Sequence, residues 1–130
     1  MAKRIREKSA KRKENKDQRP FATARYIRMG ASKAKRVLDI IKGQKFSDAC
    51  AILDITPSTA SIIVKKVLVS AGANAENNKG LNKDELIVAE ACANQGPSFK
   101  RVQFRGRGGV DTIIKRTCHI TIVLDSAKSK

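Results

Sequence analysis

The side chains of this 130-residue sequence best suited to chemistry are its arginines and lysines, and their placement says more than their number. Between Gln95 and His119, Lys100, Arg101, Arg105 and Arg107 flank Val102-Gln103-Phe104, with Gly106, Gly108 and Gly109 close behind. Guanidinium groups bridge phosphates bidentately and stack on bases. Glycine lets a backbone turn against a crowded surface. Counting Lys and Arg against Asp and Glu, residues 95–119 carry 6 against 1 and residues 1–28 carry 11 against 3. Those two stretches hold +13 of the net +16, so the remainder is nearly neutral. A neutral body with two basic appendages, one terminal and one internal, points to a polyanion, and nucleic acid is the leading candidate.

Other chemistry finds less support. Cys118 is next to His119, the sole histidine, but neighbours on a strand point to opposite faces, so the imidazole cannot serve that sulfur as a base. A zinc site would need Cys50, Cys92, Cys118 and His119 to converge without any short-range ligand pair. The Gly106–Gly109 stretch lacks the preceding strand and following capped helix of a nucleotide-binding loop. Asp84, Glu85 and Asp111 form no acid/base pair. No enzyme, metal or cofactor is therefore expected. Three cysteines without a CxxC pair suggest a reducing compartment. The sequence contains neither an apolar run long enough to span a membrane nor the apolar region of a signal peptide, so a soluble, intracellular protein is expected. Aromatics are 4%, too few for a reader that stacks many bases, which favours recognition by backbone and shape.

The elements that must position these groups can be traced by periodicity. Residues 1–20 carry eight positive charges between Lys3 and Gln18 and almost no large apolar side chain. They are expected to be disordered when free and to order on a polyphosphate, with a solubilising tail or exposed helix as the alternative. Residues 22–28 read as a strand. Ser32 would cap a helix running to about Lys42, with Ala34, Val37, Leu38 and Ile41 inward and Lys33, Lys35, Arg36 and Lys42 outward. Ser47 would cap a second helix, with Phe46, Ala49, Cys50 and Leu53 inward. Thr56, with Pro57 in the first turn, would start a third that runs to about Asn77. Its core stripe is Ala60, Ile63, Val64, Val67, Leu68 and Ala71. The small residues around Gly72 leave room for another backbone, of protein or RNA. Strands follow at about Leu86–Asn94 and Ile113–Leu124, separated by roughly eighteen residues, far more than an ordinary hairpin loop. A β-ribbon reaching out of the domain, at about 95–114, accounts for that length.

Several separated stretches, Ser70-Ala71-Gly72-Ala73-Asn74-Ala75-Glu76-Asn77-Asn78, Gly96-Pro97 and Lys115-Arg116-Thr117-Cys118-His119-Ile120, together with ATARYIRMGASKAKRVLDIIKG, resemble the signature regions of the large ribosomal subunit protein 22 family. The resemblance covers about residues 21–125 with order and spacing kept. It implies an α+β domain, three helices packed on a small antiparallel sheet, with a long protruding β-hairpin and a basic N-terminal tail. It implies a structural, large-subunit rRNA-binding protein that aids rRNA folding and assembly. Its globular part would lie near the exit of the nascent-polypeptide tunnel, and its hairpin tip would line the tunnel wall. The short length suits a cytoplasmic bacterial or an organellar ribosome. Where family tips are richer in Arg and Ala, this chain has Phe104-Arg105-Gly106-Arg107-Gly108-Gly109-Val110, and Cys118 replaces a more usual Ser.

Charge and resemblance together nominate rRNA contacts at Arg4, Arg6, Lys11, Arg12, Lys13, Arg19, Arg25, Arg28, Lys33, Lys35, Lys100, Arg101, Arg105, Arg107, Lys115, Arg116 and His119. Gln103, Phe104, Arg105, Gly106, Arg107 and Gly108 would form the tunnel-lining tip. Partners would be large-subunit rRNA, neighbouring large-subunit proteins and the nascent polypeptide, with no membrane and no stable homo-oligomer. A free-standing regulator would need a recognition helix or dimer surface, and the helices show no second apolar face. A membrane-surface binder would need an interfacial Trp, Phe and Leu face that the tail lacks.

Overall fold

A computed structural model describes residues 2–14 and 17–126. The basic N-terminus is a helix, α1 (Ala2–Glu14), whose described side chains are all exposed. It is the exposed helix left above as the alternative to a tail without regular structure. Low apolar content argues against burial, not against local helix formation, and Ala, Lys, Arg and Glu are all strong helix formers. A helix of this length is marginal alone in water.

The body is a three-stranded antiparallel sheet of order β1-β5-β2, covered on one face by helices. Its strands are β1 (Phe21–Ile27), β2 (Leu86–Gln95) and β5 (Cys118–Ser126), and its helices are α2 (Ala31–Ile41), α3 (Phe46–Ile55) and α4 (Thr59–Lys79). This is the α+β arrangement that the family resemblance implied. The central strand alternates strictly: Cys118, Ile120, Ile122 and Leu124 are buried beneath the helices, and the residues between them are half-exposed. In β2 the register slips between Val88 and Glu90, so burial passes from Leu86 and Val88 to Ala91. An added residue shifts the inward face by one position. The α2–α3 connector covers the outer edge of β2 at this point. Gly43 N–H donates to the Val88 carbonyl (2.8 Å), and Val88 N–H donates to the Gln44 carbonyl (2.9 Å).

The helices bury the stripes that their spacing predicted: Ala34, Val37, Leu38 and Ile41 on α2, Ala49 and Leu53 on α3, and Ala60, Val64, Val67, Leu68 and Ala71 on α4. Phe46, Cys50 and Ile63 are partly buried against the same core. The caps differ from expectation. Gly30, extended, precedes α2, and its carbonyl receives the Lys33 N–H (3.1 Å), which places Ser32 inside the first turn. Lys45 precedes α3, so Ser47 is likewise internal. The cap of α4 is Ser58, whose Oγ accepts the Ala60 N–H at 3.2 Å. Thr56 instead closes α3 by donating its hydroxyl to the Ile52 carbonyl (2.7 Å), and Pro57 sits in the connection between the two helices. The far end of α4 extends to Lys79 and stops at Gly80, whose φ of 63° suits a residue without a side chain. Gly72 does not open a channel for another backbone, because the Phe46 ring fills the space above it.

The long strand expected over Ile113–Leu124 is two strands. β4 (Val110–Lys115) pairs only with β3 (Phe99–Phe104) as a separate ribbon, and the chain re-enters the main sheet at Cys118. The break falls at Arg116-Thr117, where Thr117 turns inward and is buried.

Candidate nucleic-acid interface

The ribbon stands clear of the body, and every residue of β3 and β4 is exposed. Six paired positions, Phe99 with Lys115 through Phe104 with Val110, give a stem on the order of 20 Å long. At the tip, Arg105 N–H donates to the Gly109 carbonyl (2.8 Å), and Arg107 and Gly108 take left-handed conformations, φ 56° and 73°. Such a φ suits Gly108; for Arg107 it costs energy that the tight turn must impose. The turn points the tip residues Gln103, Phe104, Arg105, Gly106, Arg107 and Gly108 into solvent.

The neck that aims this ribbon is built from Gly96, Pro97, Thr117, His119 and Tyr26. Gly96 N–H donates to the Thr117 carbonyl (2.9 Å), and Thr117 Oγ1 donates to the Pro97 carbonyl (2.5 Å). A Cβ on Gly96 would lie 2.6 Å from Thr117 Oγ1 and 3.2 Å from His119 Nε2, so only glycine fits this crossing. His119 Nδ1 accepts the backbone N–H of Tyr26 (3.0 Å), and the two rings meet edge to face at 4.9 Å. Tyr26 holds φ 57°, at the irregularity where β1 slips against β5 between Ala24 and Ile27. Arg28 then lies over the Phe99 ring at 5.3 Å, bracing the root of β3. His119, nominated for RNA, has one nitrogen committed to the backbone and the other turned toward Gly96.

The nominated cations fall into distinct settings. Lys33 and Lys35 on α2, Arg25 and Arg28 on or beside β1, and Lys100, Arg101, Lys115 and Arg116 on or beside the ribbon are all exposed. So are Arg4, Arg6, Lys11 and Arg12 on α1, whereas the side chain of Lys13 falls outside the described residues. Arg105 is engaged by Asp111, Nε to Oδ2 at 2.7 Å, which leaves Arg107 the tip's unpaired cation among the described residues. Arg19 is doubly engaged, with Asp17 at 2.6 Å and, across the open face of the sheet, with Glu90 of β2 at 2.7 Å. The Arg19 guanidinium and backbone N–H hold the Asp17 carboxyl at about 2, well below the usual range, and the two carboxylates raise the Arg19 pKa in turn. Sequence reasoning missed this strap because Asp17, Arg19 and Glu90 meet only after β1 and β2 flank β5. An open cleft of about 770 Å³ lies beside it, lined by Arg25, Ser70, Asn74 and Lys79 among others, with Asn74 Nδ2 donating to the Phe21 carbonyl (3.0 Å).

The cysteines are scattered. Burial pushes the Cys118 and Cys50 thiols upward, toward the protonated form, and Cys92 lies exposed on another part of the sheet. Among the described residues no cluster of three metal-ligating side chains exists, and no helix is long and apolar enough to cross a membrane.

Comparison with known proteins agrees with this architecture. The sequence model of the ribosomal protein L22p/L17e family matches residues 22–125, which include the main sheet except Phe21 and Ser126 at its ends, the three body helices and the ribbon. The chain belongs to that family. It is 54% identical over 103 residues to the large ribosomal subunit protein uL22 of Acetivibrio thermocellus, covering 79% of this chain and 82% of that one. Against the uL22 proteins of Pelotomaculum thermopropionicum and Staphylococcus aureus the identities are 47% and 48%, covering 82% and 84% of this chain and 95% and 93% of theirs. This L22-family chain is a ribosomal protein and not an enzyme. The matched region begins at Ala22, so α1 and the Asp17 and Arg19 members of the strap precede it, while Glu90 lies within it.

Proposed function

We propose that this chain is a constituent of the large ribosomal subunit in the cytoplasm, where it binds large-subunit rRNA and helps that rRNA fold and assemble. The body would sit near the exit of the nascent-polypeptide tunnel while the ribbon runs inward through rRNA and its tip lines the tunnel wall. Neighbouring large-subunit proteins and the nascent polypeptide are the further partners, and the chain works as a single copy. The observation that carries this reading is a fully exposed two-stranded ribbon bearing Lys100, Arg101, Arg107 and Lys115. An isolated two-stranded ribbon is marginally stable in water. A surrounding polyanion both neutralises its charge and supplies the contacts that the body does not. The exposed cations of α1 and α2 extend the same interface, and α1, marginal alone, gains stability on phosphates. Sedimentation of the tagged chain through a sucrose gradient checks this: it should travel with the large subunit. Removing residues 98–111 should leave a folded body but slow large-subunit maturation. A chain that remains in the free pool, or normal particles with unaltered tunnel density after the deletion, would overturn the reading.

A further inference from the structure

The pairing register sorts the ribbon into two chemically different faces. Directly opposed residues share a face, and successive residues alternate between faces. Lys100 opposite Ile114, Val102 opposite Thr112 and Phe104 opposite Val110 form one face. Phe99 opposite Lys115, Arg101 opposite Ile113 and Gln103 opposite Asp111 form the other. On that second face Asp111 is engaged by Arg105, Phe99 lies beneath Arg28, and Ile113 is the least exposed large apolar side chain of the ribbon at 38%, so its character is mainly polar. The first face is an apolar strip with exposures of 59% at Val102, 80% at Phe104, 55% at Val110 and 46% at Ile114.

We propose that the strip Val102, Phe104, Val110 and Ile114 contacts unpaired nucleobases, while Arg101 and Lys115 on the reverse hold phosphates. The proposal rests on the rRNA-binding reading above and adds which side of the ribbon meets which part of the nucleotide. A contiguous apolar surface of this kind marks a contact site. Its charged neighbours select the occupant. Lys100 shares the face, Arg107 at the tip has no ion-pair partner among the described residues, and the ribbon's lone carboxylate, Asp111, is on the reverse and tied to Arg105. A partner that is both anionic and flat and apolar fits, and unstacked bases on a phosphate backbone are both. Phe104, at the distal end of the strip and the most exposed ring of the ribbon, is the stacking platform.

The test is filter binding of the full chain to protein-free large-subunit rRNA across a salt series, with base-specific chemical probing of the complex. Phe104→Ala should weaken binding about 10-fold or more, leave the slope of log K against log salt unchanged, and unmask a few unpaired bases. Phe104→Leu, which keeps apolar area and ribbon propensity but loses the π face, should show the same unmasking with a smaller loss. Arg101→Gln with Lys115→Gln should instead reduce the salt slope by about 1–2 and leave base protections in place. Wild-type chain that shows no salt-dependent binding would overturn the parent reading. Normal binding by that chain, with affinity and base protections untouched in both Phe104 variants, would overturn this one alone. So would wild-type RNA binding accompanied by loss of a cross-link from the strip to a neighbouring protein in the assembled subunit.

Discussion

Gly72 sets how closely α3 and α4 approach, because a Cβ there would lie 2.7 Å from two atoms of the Phe46 ring. Neither the α4 backbone nor a ring packed against the core, partly buried as Phe46 is, can yield by that much without repacking. Gly72→Ala should therefore destabilise the body by about 1–3 kcal/mol despite the helix propensity it gains. Adding Phe46→Leu should recover part of the loss, and thermal melting of the three variants measures both effects. Ser61 presents the opposite case. It is buried on the inner face of α4, and its hydroxyl lacks a hydrogen-bond partner among the described residues. An unsatisfied buried hydroxyl costs about 1–3 kcal/mol, so Ser61→Ala should raise stability by about 1 kcal/mol in denaturant titration. The sequence displayed the small residues around Gly72 as a place of close approach. It did not say that the visitor is Phe46, since a gap in a helix face does not name what fills it.

At the level of elements, the neck decides where the ribbon points. His119 Nδ1 holds the Tyr26 N–H while Tyr26 keeps a left-handed φ that a non-glycine residue adopts at a cost of order 1 kcal/mol or more. Removing the acceptor releases that strain and with it one support of the crossing at Gly96 and Thr117. His119→Ala should broaden the distance distribution between spin labels on Cys92 and a Gln103→Cys ribbon, with Cys50 and Cys118 replaced. His119→Asn, which restores an acceptor near Nδ1, should narrow it again, and an unchanged distribution in His119→Ala would remove His119 from the neck. Much of the element pattern was legible in advance, because α2 and α4 bury the stripes that their 3.6-residue spacing marks. Cap positions were not: Ser32, Ser47 and Thr56 are plausible by type, yet the extended backbone at Gly30, Lys45 and Ser58 fixes the starts. The bulge after Val88 hid the alternation of β2, and the inward turn of Thr117 hid the division between β4 and β5.

Across the whole molecule, charge and fold are divided so that binding can be altered without unfolding. The core lies between α2, α3, α4 and the main sheet, whereas α1 and the ribbon carry exposed cations and, among the described residues, bury no side chain fully. Pairing removes part of the nominal charge from any RNA contact, since Arg19 is held by Asp17 and Glu90 and Arg105 by Asp111. These partners were invisible in a charge count, which sees Arg19 and Arg105 as free. If about 6–10 phosphates are engaged, affinity for large-subunit rRNA should fall about 10³–10⁵-fold between 50 and 200 mM salt. The contribution of each appendage should then be separable. Deleting residues 98–111 removes Lys100, Arg101, Arg105 and Arg107, and with Arg105 already engaged the salt slope should decrease by about 2–3 rather than 4. Asp111→Asn in the full chain should free Arg105 and increase the slope by about 1. A slope that Asp111→Asn leaves unchanged would mean that Arg105 already exchanges its carboxylate for a phosphate when RNA arrives.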